Sequence, residues 1–352
     1  MKTFRRCSAA LACLTLAAFR VGLAGAAWAA DDANTLRYGI NDDQNITQLP
    51  QVIAEREGLF AREGVKVQIV SFAVPGGRFA VPGVPRAAPP AGGAPPSLGA
   101  AMAKGTVDMT KQQFPLLINS VMAGGKYIGV ASEVDNSVYY LVVRPEIKTF
   151  ADLKGKTLTI TNLSDGITVW TRKLITQHGL KNDDVMLKNI AGSDGRVTCL
   201  KSGECAAASL AQPAVFDALD AGFHVLGITN EIAPPLFQVD TANPAWAAAH
   251  RDLLVKYIRA ITAAKRFIMD PKNHDEVLKV TMAYMKEPEN RSRQMLSYIW
   301  DPKNRVLSQQ APFDMNNVNA AIALMGEYGF LKQPLPAPER FIDASYAKAA
   351  GQ

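Results

Sequence analysis

One short segment carries the residue types that hold an anion without a metal: Thr161, Asn162, Ser164, Gly166 and Thr168. It follows a β-rich run and opens a helix with apolar residues at helical spacing. Free backbone N–H groups at a helix start, with small hydroxyls beside them, make an anion cradle. The same segment has a simpler use, with Ser164 or Asp165 as the N-cap of that helix. Asp165 opposes a pure anion, and a zwitterion tolerates it better. In open α/β sheets ligands sit beyond the carboxyl ends of strands, and that rule selects three further groups. The polar loop Asn41 to Gln48 follows the first strand, with Asn41 and Gln48 as its candidates, or it is a solvated Asn/Asp turn. Thr110 to Gln113 follows a strand expected to end at Met109. There Lys111 neutralises an anion with Gln112 beside it, or Lys111 is a surface lysine at a helix start. Gly192-Ser193 with Arg196, and Gln212 before Pro213, lie at strand-to-helix junctions further on. Arg196 has the fork to clamp a carboxylate or sulfonate with two bonds, or it pairs with an acid such as Asp194.

Other constellations are poor. His178, His224, His250 and His274 are scattered, and no nucleophile elbow, phosphate loop or zinc-protease motif occurs. Trp170, one turn into the cradle helix, packs on an organic solute or belongs to the core. Tyr139 and Tyr140 are adjacent on a strand and point to opposite faces, which speaks against an iron site. Neither a metal nor a cofactor is implied.

The elements that position these residues follow from periodicity. Thr35–Ile40 and Val65–Phe72 read as strands, and Pro50–Glu63 as a helix closed by Gly64. Residues 74–97 hold seven prolines and five glycines, so they form a long loop, either a lid or a disordered insertion. A helix at 98–104, a short strand at 106–109 and a helix at 114–123 follow. Strands and helices then alternate to residue 228, and from Pro244 the pattern is helical. Such alternation means an α/β architecture with mostly parallel sheets and a helical tail.

The amino terminus is expected to be a secretory leader over 1–29. Lys2, Arg5 and Arg6 precede an apolar, Ala-rich run, and Ala27-Trp28-Ala29 fits a cleavage site after Ala29. The chain has 352 residues and a formal net charge of +6. Residues 1–30 carry four basic residues and no acidic one, so the remainder is close to neutral. It holds no Lys/Arg run, which excludes nucleic acid as a partner. Cys7 and Cys13 leave with the leader. Cys199 and Cys205 are near enough in sequence for a local disulfide in an oxidising compartment, or they stay as free thiols.

Five fragments, in order, resemble one family. They are VIAEREGLFAREGVKVQIVSF, AMAKGTVDMT, IKTFADLKGKTLTITNLSDG, LITQHGLKNDDV and the run through LKSGECAAASLAQP. Together they resemble the solute-binding proteins of nitrate/sulfonate/taurine (NitT/TauT) ABC importers, over roughly residues 35–230. Cys205-Ala206 stands where that family often has an acidic residue before Ala, and 74–97 exceeds its usual loop. The resemblance implies a two-lobed periplasmic-binding fold of type II. Lobe 1 would comprise 30–133 and 229–352, lobe 2 would comprise 134–228, and hinges would lie near Val134 and Gly227. It implies a periplasmic monomer that takes a small anionic or zwitterionic solute, such as a sulfonate or aromatic acid. The solute passes unaltered to an ABC permease at the inner membrane. The competing readings are a periplasmic sensor subunit and an enzyme similar to the pyrimidine-precursor synthases, whose cysteine-rich motif and active-site histidine are not found here.

Overall fold

The computed structural model describes residues 33–41, 45–72, 98–136, 139–163, 165–190, 192–232 and 236–351. The expected leader, the Pro/Gly-rich segment 74–97 and Ser164 lie outside the described residues, as does the side chain of Asn41.

Among the described residues ten strands build two sheets. The first contains β1 (Thr35–Asn41), β2 (Lys66–Phe72), β3 (Met109–Gln113), β4 (Ile128–Val134) and β10 (Gln238–Ala242), in the order β2-β1-β3-β10-β4. The second contains β5 (Tyr140–Val143), β6 (Thr157–Ile160), β7 (Met186–Asn189), β8 (Ala207–Leu210) and β9 (His224–Ile228), in the order β7-β6-β8-β5-β9. In each, three parallel neighbours are followed by one reversed strand, β10 or β5, that pairs antiparallel on both sides. Helices between parallel strands make the crossovers that such pairing requires. The architecture is thus α/β with two mixed sheets and a helical tail. The chain leaves the first sheet after Val134 and rejoins it at Gln238, so the second sheet is one continuous insertion.

The tail closes the first half. The helix Arg251–Met269 packs on Leu49–Arg56, Leu59–Arg62 and the terminal helix Ser345–Ala350. Its Tyr257 stacks between Tyr38 and Phe60, with ring centroids 5.6 and 5.7 Å apart. Large aromatic faces buried there contribute area and geometry together.

Three expectations are corrected. The helix expected over Pro50–Glu63 is two pieces, because Gly58 sits at φ +65° between Arg56 and Leu59. The strand expected at Thr106–Met109 instead runs Met109–Gln113. The third is β10, which periodicity missed. It is short, contains a poor strand former in Asp240, and is held by partners on both sides rather than by its own propensity.

Candidate functional site

Because Met109–Gln113 is a strand, its side chains alternate. Lys111 and Gln113 face one cavity, of about 290 Å³, while Gln112 does not line it. The cavity lies between the two sheets. The first half contributes Asn45, Thr47 and Gln48 from the turn after β1, Lys111 and Gln113 from β3, and Gln238 from β10. The second contributes Thr161, Asn162 and Asp165 after β6, Ser193 and Arg196 at the next helix start, and Gln212 after β8. Tyr139 lines it where the chain passes between sheets.

Of the residues singled out from sequence, Gln48, Lys111, Thr161, Asn162, Ser193, Arg196 and Gln212 therefore come together. Gly166 and Thr168 stand one layer behind. The Asp165 carboxylate caps their helix by accepting from the Thr168 N–H at 2.9 Å, and the Thr168 hydroxyl donates to the Asn162 carbonyl. The Gly166 N–H, the free donor of the expected cradle, donates to Gln113 Oε1 at 2.7 Å. That bond joins the two sheets' elements across the cavity. A Cβ on residue 166 would stand 2.9 Å from the same oxygen, so only glycine admits it without movement. Gln113, Gln238 and Tyr139 were missed as site residues. Extending β3 by four residues would have paired Gln113 with Lys111, while Gln238 depended on the unseen β10.

The two walls hold charge differently. Arg196 is 3% exposed. Its Nε donates to Ser209 O at 2.9 Å and Nη1 to Thr161 Oγ1 and Ile190 O at 3.0 and 3.1 Å. Nη2 donates to Ser193 Oγ at 3.0 Å. These bonds hold its guanidinium to the strand ends and helix start of its own half. Asp165, 1% exposed, is pushed up to about 6 by burial, against the Thr168 donors and the Arg196 charge.

Opposite, Lys111 Nζ donates to Thr47 O at 2.6 Å. Burial lowers it to about 8; Glu133 and Asp240 pull it back up, and Lys265 adds to the lowering. Asp240 is its cross-strand partner. Burial, and then the neighbouring Glu133, hold Asp240 well above the carboxylate range. Tyr38 OH donates to Asp240 Oδ1 at 2.6 Å, and Gln51 Nε2 donates to Glu133 Oε1 at 3.0 Å. Lys265 Nζ donates to Ser132 O. The cavity lysine thus stands on a buried network of titratable groups.

Cys199 and Cys205 are joined in a disulfide at the far end of the helix Ser193–Ser202. Trp170 is fully buried against Phe237, in the core and away from the cavity lining. Among the described residues no group of three or more His, Cys, Asp or Glu is placed to hold a metal, and no helix is long and apolar enough to cross a membrane.

Solved structures share this fold. The alkanesulfonate-binding protein SsuA from Xanthomonas axonopodis pv. citri, bound to MOPS, matches with a TM-score of 0.67 at 16% identity, covering 91% of this chain and 99% of that one. The periplasmic nitrate-binding protein NrtA from Synechocystis PCC 6803 matches with a TM-score of 0.69 at 13% identity, covering 91% and 88%. The desulfurization enzyme DSZB matches with a TM-score of 0.62 at 14% identity, covering 90% and 98%. No curated protein matches in sequence. The fold is that of the periplasmic binding proteins, as the sequence resemblance implied. Residues 33–282, most of the chain, match the NMT1-like family, and the chain belongs to that family.

Proposed function

We propose that the protein is the extracytoplasmic solute-binding subunit of an ABC importer. It captures a small organic anion, sulfonate-like or an aromatic acid, between its two halves and hands it unchanged to a permease. The observation that carries this reading is the cavity itself. Polar side chains from both sheets converge on it, with Lys111 as a cation on one wall and helix starts on the other. Two halves joined by two chain crossings can close over a solute. A structural neighbour named for alkanesulfonate binding, and seen with MOPS, supports the anion class. The leader expected over 1–29 supports export to the periplasm.

The seven residues that meet at the cavity are proposed as solute contacts in different senses. Gln48, Lys111, Asn162 and Gln212 face the solute directly. Thr161 and Ser193 face it while held by Arg196, and Arg196 acts through them.

The fold is also that of an enzyme, DSZB, so the test must separate binding from turnover. Thermal unfolding is recorded against nitrate, taurine, alkanesulfonates, arenesulfonates and aromatic carboxylates. A ligand at 100 times its Kd stabilises by about 2.7 kcal/mol, a shift of several degrees. The stabilising compound is then recovered and weighed by mass spectrometry. Recovery unchanged is the expected result. Recovery as a desulfonated product, or no shift from any anion, overturns the reading.

A further inference from the structure

Beside the main cavity lies a second, smaller space of about 20 Å³. Asn45, Thr47, Tyr139, Ala211 and Gln212 line both, so the two spaces adjoin. Its remaining walls are Ile46, Phe237 and four residues of the tail: Tyr298, Ile299, Val306 and Leu307. No charged residue lines it, whereas Lys111, Asp165 and Arg196 all line the main cavity.

The Tyr298 hydroxyl is the feature that core packing does not explain. It is buried and has no hydrogen-bond partner. The Tyr140 ring packs edge-on at 6.5 Å, and its oxygen accepts from Gln212 Nε2 at 2.9 Å. A buried donor left unmade costs about 1–3 kcal/mol, and such groups in native proteins call for a partner. A space of 20 Å³ holds one heavy-atom group, since a water needs ~10–15 Å³. The main cavity, at about 290 Å³, is roughly twice the 150 Å³ that holds benzene in an engineered core. An inorganic oxyanion would leave most of it unfilled.

We propose that this annex reads the far end of the solute. The charged group lies in the main cavity, an organic body fills it, and one polar atom at the opposite end enters the annex and bonds to the Tyr298 hydroxyl. The protein then selects organic monoanions with a compact polar tip, such as a para-hydroxyl, and rejects inorganic anions. The inference rests on the anion-binding reading above and adds the class of solute.

Calorimetric titration of the purified protein with nitrate, benzenesulfonate and 4-hydroxybenzenesulfonate tests it, alongside Tyr298→Phe. The expected result is that 4-hydroxybenzenesulfonate binds about tenfold tighter than benzenesulfonate, a difference that one buried hydrogen bond supplies. In Tyr298→Phe that preference falls to within about twofold, with benzenesulfonate affinity unchanged. A second variant, Leu307→Ala, enlarges the annex and is expected to shift preference to 4-methoxybenzenesulfonate. Equal binding of the two arenesulfonates, or a hydroxyl preference that survives Tyr298→Phe, overturns the annex inference and leaves the anion-binding reading standing; an annex filled only by water gives this result. Tightest binding to nitrate overturns it too. Silence towards every anion overturns the anion-binding reading, and the annex inference with it.

Discussion

The wall built on β3 and the wall built beyond β6 and β8 face each other from sheets of one strand order. Their electrostatics nonetheless have little in common. On the second wall a single guanidinium is committed to two carbonyls and two hydroxyls of its own half. Its charge is permanent at any ordinary pH, so it sets geometry. On the first wall the cation is a lysine lowered to about 8, standing on an acid pair and a second lysine. Its charge is adjustable. A repeated topology thus supplies two platforms, and the buried side chains decide which is rigid and which responds to protons or to a bound charge.

Deleting each cation separates the walls most sharply. Arg196→Met leaves the Ser209 and Ile190 carbonyls without their donor and should cost about 3 kcal/mol in urea unfolding, with anion binding lost as well. Lys111→Met leaves one carbonyl, Thr47 O, without its donor and should cost about 1 kcal/mol, less than Arg196→Met, while still abolishing binding. Equal stability losses would break the comparison.

The disulfide ties down the rigid side. Reducing Cys199–Cys205 opens a short loop and should lower stability by about 2 kcal/mol, read as melting temperature with and without reductant. Anion affinity should stay within about twofold once the protein is refolded at the same temperature.

Proton linkage belongs to both walls and runs in one direction. A bound anion favours charged Lys111 and neutral Asp165. Affinity should therefore be highest below pH 6 and fall in two steps, as pH rises through about 6 and then about 8. Each step is on the order of tenfold. Titrations from pH 5 to 9 check this, and Asp165→Asn should delete the lower step alone. In the free protein Asp165 sits above its unfolded value. Its contribution to stability is thus complete below about pH 4 and lost as pH rises through about 6.

The smallest effect sharpens the contact between the walls. Gln113→Ala removes the acceptor of the bond from Gly166 N–H to Gln113 Oε1, and Gly166→Ala crowds that oxygen with its Cβ, at up to about 1 kcal/mol each. Because both act on the same Gln113 side chain, the double variant should cost less than the sum. Strict additivity would mean the bond contributes nothing.

Much of this is legible in the sequence. Thr161, Ser193, Arg196 and Gln212 follow strands and open helices, and that local pattern led to the cavity. The same rule selects Gln48 and Lys111, although periodicity ends β3 four residues short of Gln113. The pattern does not say which neighbour on β3 faces inward, so it points to Gln112 where the strand presents Gln113. Nor could it say what Arg196 bonds to. Its partners lie up to 35 positions away, and a fork suited to an external carboxylate suits internal carbonyls equally well.

The sequence by itself determined the order of elements, the strand-to-helix junctions and the family resemblance. Each is encoded within a window of a few to some twenty residues, through periodicity, caps and turn residues. Tertiary structure alone decided the return of β10 between β3 and β4, and the burial of Asp240 against Tyr38 202 positions away. It also brought Tyr298 and Leu307 to the edge of the cleft. Those depend on strand register and on contacts between distant segments, where one residue of slip exchanges the faces of a whole strand.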